Sequence, residues 1–298
     1  MAALPPEQLR AAIEAARQKV STTRHPKLLG WLAGLLMRQA RLEQFAGRYE
    51  NASRLLQEVL PLYEELKDER SRALALGRIA DLHHLRQERE KALHLRREVV
   101  RVFKRLGDER EHAIALGRVA DSLQDLGGIG QLQEALRIRT EVVIPAFERL
   151  GDERERAVAL GRIADLRESP FNDLDEALRI RREELLPVYE RLGDQHSRAA
   201  VLGKIAGTLA ARGQLDEAQR LLLEEVLPVL ERLNDVRGVL ASRASLAQIY
   251  LERGGKVTRG RGLALLRDAL GTAERLQLPE AWGLRYLLER ALAEPGDG

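Results

Sequence analysis

Apolar side chains recur along this chain every three or four residues, which predicts amphipathic helices separated by short polar turns. Between residues 152 and 193, Asp152 with Glu155 three positions later predicts a helix start, in which side chains bind the unpaired amides of the first turn. A turn rich in Pro and Asn at 169–173 predicts the start of a second helix, and Gly193 predicts its left-handed end. We call these two predicted helices helix A and helix B.

The same pair of helices recurs along the sequence. The motif Leu-Gly-Arg-(Ile/Val)-Ala-Asp begins at Leu76, Leu116 and Leu160, and a variant, Leu-Gly-Lys-Ile-Ala, begins at Leu202. A Leu-x-Asp turn separates the copies at spacings of 40, 44, 42 and 41 residues, a period typical of stacked helix pairs. The aspartates of this turn are Asp68, Asp108, Asp152, Asp194 and Asp235.

These spacings predict an all-α solenoid of about six antiparallel helix pairs, because each pair buries its apolar face only against its neighbours. We expect a single stack over residues 1–298, with an N-terminal capping helix at 1–24 and a C-terminal capping helix and tail at 279–298. Trp31 and Trp282 lie in these terminal zones and are predicted to pack against the open ends. The repeats are predicted at 25–67, 68–107, 108–151, 152–193, 194–234 and, in degenerate form, 235–278.

The stretch 202–218 resembles a tetratricopeptide repeat, with a small residue in helix A at Ala206, Gly213 at the turn, and Asp-Glu-Ala at 216–218 opening helix B. Tetratricopeptide units are typically 34 residues long. The longer form seen here resembles the repeats of kinesin light chains, of the LGN family of polarity adaptors, and of sensor regions in bacterial signalling ATPases and transcription activators. The resemblance implies a right-handed superhelix that binds peptides, partner proteins or small effectors and catalyses nothing.

The resemblance also implies that helix A lines a concave face. At about 100° per residue, the recurrent Gly of helix A lies about 40° from the recurrent Asp, and the recurrent basic residue lies about 60° beyond. Arg38 extends the basic row into the first repeat, where Arg41 replaces the Asp. The candidate partner-binding groove is therefore formed by Gly77, Arg78, Asp81, Gly117, Arg118, Asp121, Gly161, Arg162, Asp165, Gly203 and Lys204.

Each of these rows has a structural alternative. Glycine inside a helix costs about 1 kcal/mol relative to Ala, so the recurrent Gly indicates either close packing of neighbouring helices or close approach of a ligand's backbone. The Arg and Asp rows predict either a ladder of ion pairs, within one helix or across repeats, or unpaired guanidinium groups that hold carboxylates or carbonyls of an extended peptide.

Two further rows belong to helix B. A proline precedes the turn aspartate by seven residues in four repeats, and such a residue inside a helix removes a hydrogen bond and bends the helix. An aromatic row, predicted to be core between repeats, lies two residues later. The prolines are Pro61, Pro145, Pro187 and Pro228, with Arg101 in the second repeat, and the aromatic row is Tyr63, Phe103, Phe147 and Tyr189, followed by Leu230.

Composition disfavours several other functions. The 49 basic and 46 acidic residues alternate, giving a net charge of only +3, so no phosphate-binding face is predicted and nucleic acid is disfavoured as a partner. The chain has no Cys, and His83, His84 and His94 fit no zinc spacing, so no metal is expected. Because no phosphate loop, nucleophile elbow or HExxH helix occurs, we expect a non-enzymatic protein without cofactors.

The sequence shows neither a secretory leader nor a membrane span, so a cytoplasmic protein without a membrane partner is expected, and richness in Ala, Leu and Arg suggests a bacterial genome. The preferred function is a protein-interaction scaffold that holds a partner segment in the groove, centred on the second to fifth repeats. The alternative is a ligand-sensing module of a larger bacterial signalling ATPase or transcription regulator. Single-stranded nucleic-acid binding and homo-oligomer assembly through the solenoid ends are the remaining hypotheses.

Overall fold

The computed structural model describes residues 5–293, and all regular structure in this range is helical. The all-α, helical-repeat fold class is therefore confirmed. The chain divides into two compact units, Met1–Asp152 and Glu153–Gly298. The predicted tail after residue 293 and the first four residues lie outside the described range.

The N-terminal unit begins with a terminal helix and then holds the first three repeats. Each helix packs mainly against the helices that precede and follow it in the chain. The helices are α1 (Pro6–Thr22), α2 (Pro26–Phe45), α3 (Tyr49–Glu65), α4 (Glu69–Leu85), α5 (Arg89–Leu106), α6 (Glu109–Leu126), α7 (Ile129–Ile138) and α8 (Ile144–Leu150), with a π-helical turn at Arg139–Val143 joining α7 to α8.

The C-terminal unit holds the other three repeats and the last helix. Its helices are α9 (Glu153–Glu168), α10 (Leu174–Arg179), α11 (Leu186–Arg191), α12 (Gln195–Ala211), α13 (Leu215–Leu221), α14 (Leu227–Arg232), α15 (Val236–Glu252), α16 (Lys256–Arg275) and α17 (Glu280–Ala293). Further π-helical turns join α10 to α11 at Ile180–Leu185 and α13 to α14 at Leu222–Val226. Helix A of the six repeats is thus α2, α4, α6, α9, α12 and α15.

The prolines of helix B explain these π turns. Pro145, Pro187 and Pro228 each occupy the second position of the short helix that follows a π turn. A proline ring has no N–H and clashes with the carbonyl four residues earlier, and a widened turn relieves both problems. The backbone N–H of Ile144, for example, donates to the carbonyl of Arg139, five residues back. Pro61 differs, because it lies inside the uninterrupted helix α3.

The turn aspartates act as predicted at the start of helix A. The carboxylates of Asp68, Asp108, Asp194 and Asp235 each accept a hydrogen bond from the backbone N–H three residues later, at 2.9–3.1 Å. Such a bond satisfies one of the amides that a helix leaves unpaired in its first turn. The preceding helix B ends in a left-handed residue, which is glycine at Gly193 and in two other repeats.

We expect replacement of Asp194 by Ala to lower the free energy of unfolding by about 1 kcal/mol at neutral pH. The Ser197 N–H, the Ser197 hydroxyl and the Arg154 guanidinium hold the pKa of Asp194 below its ordinary value. A carboxyl with a lowered folded-state pKa stabilises the fold above its unfolded pKa, and that contribution is lost as the pH falls through the folded pKa. Urea unfolding at pH 7 and in strong acid should therefore show a difference between wild type and Asp194→Ala that shrinks in acid. Glu224→Ala, at an exposed carboxylate, is the control, and an acid-independent difference would contradict the assignment.

Most of the aromatic row lies in the core as predicted, whereas Tyr63 is half-buried and packs against the core. Phe103, Phe147 and Tyr189 are at most 7% exposed, and the replacing Leu230 is 3% exposed. The prediction for the tryptophans is wrong: Trp31 is 42% exposed and Trp282 is 79% exposed. Leu and Ala, the common apolar residues of this chain, fill the terminal layers of helices instead, and the ring of Trp282 stacks on that of Tyr286 at a centroid distance of 6.3 Å.

Candidate functional site

A cavity of about 310 Å³ lies among α4, α5 and α6 in the N-terminal unit. Buried Val99 and Phe103 line it from α5, and the half-buried Leu74 and Ile114 line it from the two A helices. Its lining is thus mainly apolar, with a few polar groups, as is usual for ligand pockets. The predicted groove residues that the structure brings together here are Gly77, Arg78, Asp81 and Arg118.

The other predicted groove residues of the N-terminal unit lie farther along α6. Gly117 is half-buried, and an added Cβ there would meet no atom within 4 Å. Asp121 is also half-buried, and its Oδ1 accepts a hydrogen bond from Nη2 of Arg139 at 2.6 Å. Neither residue lines the 310 Å³ cavity.

In the C-terminal unit the equivalent residues lie on α9 and α12. The Asp165 carboxylate accepts hydrogen bonds from Nη2 of Arg181 at 2.9 Å and from Nζ of Lys204 at 2.7 Å. Lys204 and Arg162 are exposed, whereas Gly161 and Gly203 are half-buried. The bond from Lys204 to Asp165 joins one repeat to the next, as the ladder hypothesis expects.

The structure contradicts close helix packing as the reason for the recurrent glycines. An added Cβ at Gly77 or Gly117 would meet nothing within 4 Å. At Gly161 and Gly203 it would lie 3.7 and 3.9 Å from one methyl group, which is an ordinary contact. Gly262 in α16 shows the opposite case, because a Cβ there would lie 2.9 Å from the carbonyl oxygen of Ala247. The recurrent glycines therefore destabilise helix A relative to alanine, and helix packing does not explain their presence.

Three buried arginines of helix B hold the groove aspartates, and the sequence analysis did not identify them. Arg96 is 5% exposed, and Arg139 and Arg181 are each 1% exposed. Their Nη2 atoms donate to the Asp of helix A in the same repeat, at 2.9, 2.6 and 2.9 Å. The partners are Asp81, Asp121 and Asp165, respectively. Because a buried guanidinium is stable only when it is paired, each Arg–Asp pair is an internal support rather than two available charges.

Two of these arginines also reach the next repeat. Nη1 of Arg96 donates to Oγ of Ser122 at 2.6 Å, and Nη1 of Arg181 donates to Oγ1 of Thr208 at 2.5 Å. Ser122 and Thr208 hold the same position in helix A, fourteen residues after their turn aspartates. Each arginine thus joins helix A of its own repeat to helix A of the following one.

The sequence indicates these pairs, because the Asp and the buried Arg are both replaced in the same repeats. In the fifth repeat the Asp position is Gly207 and the Arg position is the buried Leu222. In the first repeat the same positions are Arg41 and the buried Leu56. A repeat therefore has the buried Arg only where it has the Asp, which is what the cost of an unpaired buried charge requires.

The basic row contains one exceptional member. Nη1 of Arg118 lies 3.6 Å from Oδ1 of Asp81, and Lys204 is bonded to Asp165. Arg38 and Arg162 also have interaction partners. The half-buried Arg78 makes no hydrogen bond or ion pair with any residue in the range 5–293.

At the N-terminal ends of the A helices, unlike at Arg78, the charged side chains bind one another. The residue two positions after a turn aspartate binds the turn aspartate of the next repeat. Arg70 binds Asp108 at 3.0 Å, and in the C-terminal unit Arg154 binds Asp194 at 2.5 Å. The same relation holds for His196 and Asp235 at 2.9 Å. Ion pairs at this edge satisfy the charges that a ligand would otherwise use.

The histidines of α4 take part in local pairs. His83 Nδ1 lies 2.5 Å from Oε2 of Glu88, and His84 Nδ1 lies 3.1 Å from Oδ2 of Asp125. Within the described part of the chain, no three His, Cys, Asp or Glu side chains are grouped so that they could hold a metal ion. No helix in that same part is both long and apolar enough to cross a membrane.

Solved structures share this arrangement of helix pairs. The signal transduction ATPase with numerous domains (STAND) from Pyrococcus horikoshii, which has a tetratricopeptide repeat sensor, aligns over 95% of this chain with a TM-score of 0.68 and 14% identity. A putative kinesin light chain of Podosopora anserina with nearly identical TPR-like repeats aligns over 69% of this chain and 97% of its own, with a TM-score of 0.54 and 20% identity. The fold is that of the tetratricopeptide-like repeat proteins.

A third structure with this tetratricopeptide-like fold is a Rap protein complexed with competence and sporulation factor. It aligns over 98% of this chain and 88% of its own, with a TM-score of 0.62 and 13% identity. The chain spans 43% of the length of the STAND protein. No protein-family model matches the sequence, and no curated protein matches it. The likeness therefore lies in the fold.

Proposed function

We propose that this chain is a non-enzymatic protein-interaction module that binds a segment of a partner protein in the groove lined by helix A. The observation that carries this proposal is the recurrence of Gly77, Gly117, Gly161 and Gly203 without a packing reason. A glycine in helix A lowers the groove surface by one side chain, so a partner's backbone can approach the helix closely. Four helix glycines that cost about 1 kcal/mol each are explained by such a partner.

The basic row supplies the polar contacts in this proposal. Guanidinium groups bind carboxylates through two parallel hydrogen bonds and also donate to backbone carbonyls. Arg78 has this capacity available, and the exposed Arg118 and Arg162 lie at equivalent positions. In this proposal Asp81, Asp121 and Asp165 support the groove from within, because buried arginines already bind them.

The structural neighbours support the class of function. The Rap protein holds a competence and sporulation factor, and the STAND protein uses its tetratricopeptide repeats as a sensor. Extended concave surfaces are the usual binding surfaces of stacked repeats. A cytoplasmic role in a bacterial cell agrees with the composition of the chain and belongs to this proposal.

Affinity capture from a lysate of the source cells tests the proposal. We expect a partner that binds the wild-type chain to be lost when Arg78, Arg118 and Arg162 are all replaced by Glu, because the change reverses three charges along helix A. Bound proteins are identified by mass spectrometry, and the interaction is then measured with purified partner at several salt concentrations. Loss of binding at every salt concentration is the expected result.

The matched control places the same three charge reversals on helix B, at exposed arginines that make no hydrogen bond or ion pair with other described residues. The control variant should keep the partner. If the groove variant is folded by circular dichroism and captures the same proteins with the same salt dependence as wild type, the groove proposal is wrong. The control positions are Arg101, Arg137 and Arg220.

A second candidate function is a ligand-sensing module of a larger signalling ATPase or regulator. The STAND neighbour favours it, because this chain aligns over 95% of its own length with less than half of that protein. Under this hypothesis a ligand in the groove controls an effector domain. A change in the activity of an adjoining ATPase domain on ligand binding would distinguish it from a simple scaffold.

A further inference from the structure

We infer that the 310 Å³ cavity among α4, α5 and α6 is a binding site for a small amphiphilic carboxylate, with an aliphatic body in the cavity and its carboxylate on Arg78. Pockets of about 300 Å³ and above, with apolar walls and a few polar groups, are the usual sites for small ligands. The apolar body would lie against Val99, Phe103 and Ile114. This site does not depend on a protein partner, although both would use helix A of the second repeat.

The charges around the cavity favour an anion. Its lining contains three guanidinium groups and two carboxylates, and one of these carboxylates is bound by an arginine from outside the lining, so positive charge is in excess. Oδ1 of Asp81 accepts from the buried Arg96 at 2.9 Å, and Oε1 of Glu111 accepts from Arg70 at 3.1 Å. Both carboxylates are thus already bound by arginines, and neither is available to Arg78.

Arg78 is the arginine of the lining whose guanidinium has no protein partner among the described residues. It lines the cavity, is half-buried, and makes no hydrogen bond or ion pair with the described residues. A partly buried guanidinium has lost some of its water, so a carboxylate that binds it with two hydrogen bonds gains more there than at an exposed arginine. Arg118, 3.6 Å from Asp81, lies on the same cavity and adds to the positive potential.

Gly77 keeps space beside this arginine. It lines the cavity directly before Arg78 in α4, and a Cβ added to it would meet no atom within 4 Å. Any larger side chain at this position would extend into space that the protein itself leaves empty. The cavity therefore combines an apolar lining, an available cation and room for a ligand.

Isothermal titration calorimetry of the full chain with decanoate tests this site. We expect decanoate to bind, and decanol and acetate, which lack the charge and the apolar body respectively, to bind at least tenfold more weakly. Arg78→Gln should weaken decanoate binding about tenfold or more, because it removes a charge-assisted pair of hydrogen bonds. Gly77→Leu should abolish binding by filling the cavity while leaving the far-ultraviolet circular dichroism unchanged.

Arg101→Gln is the matched control, because it removes one exposed, unpaired arginine from α5 at a position outside the cavity. It should bind decanoate as wild type does. Equal affinity for decanoate and decanol, or equal affinity of wild type and Arg78→Gln for decanoate, would overturn the inference. Absence of heat with decanoate would also overturn it. In that case, loss of a captured protein partner from the Arg78→Gln variant would indicate that a side chain of the partner occupies the cavity, and the proposed function would stand.

Discussion

Replacing Asp81 by Ala should lower the free energy of unfolding by about 3 kcal/mol, whereas replacing Asp81 by Ala and Arg96 by Leu together should lower it by less than about 1 kcal/mol. The single change leaves the guanidinium of Arg96, a residue only 5% exposed, with the Ser122 hydroxyl and a backbone carbonyl as its remaining partners. The double change removes both charges and leaves an apolar side chain in the core. Leu222 and Leu56 show that helix B accepts leucine at this position.

The measurement is a double-mutant cycle by urea unfolding, followed by far-ultraviolet circular dichroism. Arg96→Leu alone should cost less than Asp81→Ala, because the Asp81 side chain keeps 29% exposure and a contact with Arg118. Arg101→Leu, on the same helix at an exposed and unpaired arginine, is the control and should change stability little. A cycle in which the two single costs simply add would show that the pair is not coupled.

The chain in which Gly77, Gly117, Gly161 and Gly203 are all replaced by Ala should be more stable than wild type and should lose its partner. Alanine is favoured over glycine in a helix by about 1 kcal/mol, so the free energy of unfolding should rise by up to about 4 kcal/mol. At each position the new methyl group has room in the unbound protein. The same methyl groups would lie where a partner's backbone approaches helix A, and binding should therefore weaken sharply.

Thermal or urea unfolding and quantitative binding of the captured partner are measured on the same preparations. Gly271→Ala is the control: Gly271 lies inside α16, a B helix, and a Cβ there also meets nothing within 4 Å. It should raise stability without changing binding. Lower stability of the fourfold variant would show that these glycines are needed for close helix packing. Unchanged binding of the partner would show that they do not serve a groove along helix A.

The sequence predicts the helices well because their boundaries are local. The turn aspartates, the left-handed glycines and the apolar periodicity each act within a few residues, so the expected break at 169–173 separates α9 from α10. The π turns were not predicted. They follow from a proline and the widening of a single turn, and the sequence of α3 shows that a proline does not always produce one.

The candidate site was predictable only in part. Periodicity places Gly77, Arg78 and Asp81 near one another on one helix, but it does not show which charges are already bound. Asp81 looks available in the sequence and is held by Arg96, fifteen residues later in another helix. Whether Arg78 or Arg118 has a partner depends on acidic residues in other helices. The distances to those residues depend on how the helices pack and not on spacing within one helix.

The exposed tryptophans affect how these experiments must be carried out. Trp31 and Trp282 are the only two in the chain, and each compact unit has one of them. Because Trp282 is 79% exposed in the folded protein, unfolding would change its emission spectrum little. Intrinsic fluorescence would therefore report mainly on Trp31, which is more than half covered, and would underestimate the transition of the C-terminal unit. The solvent contact that makes Trp282 a poor reporter of unfolding makes it a sensitive reporter of anything that covers α17.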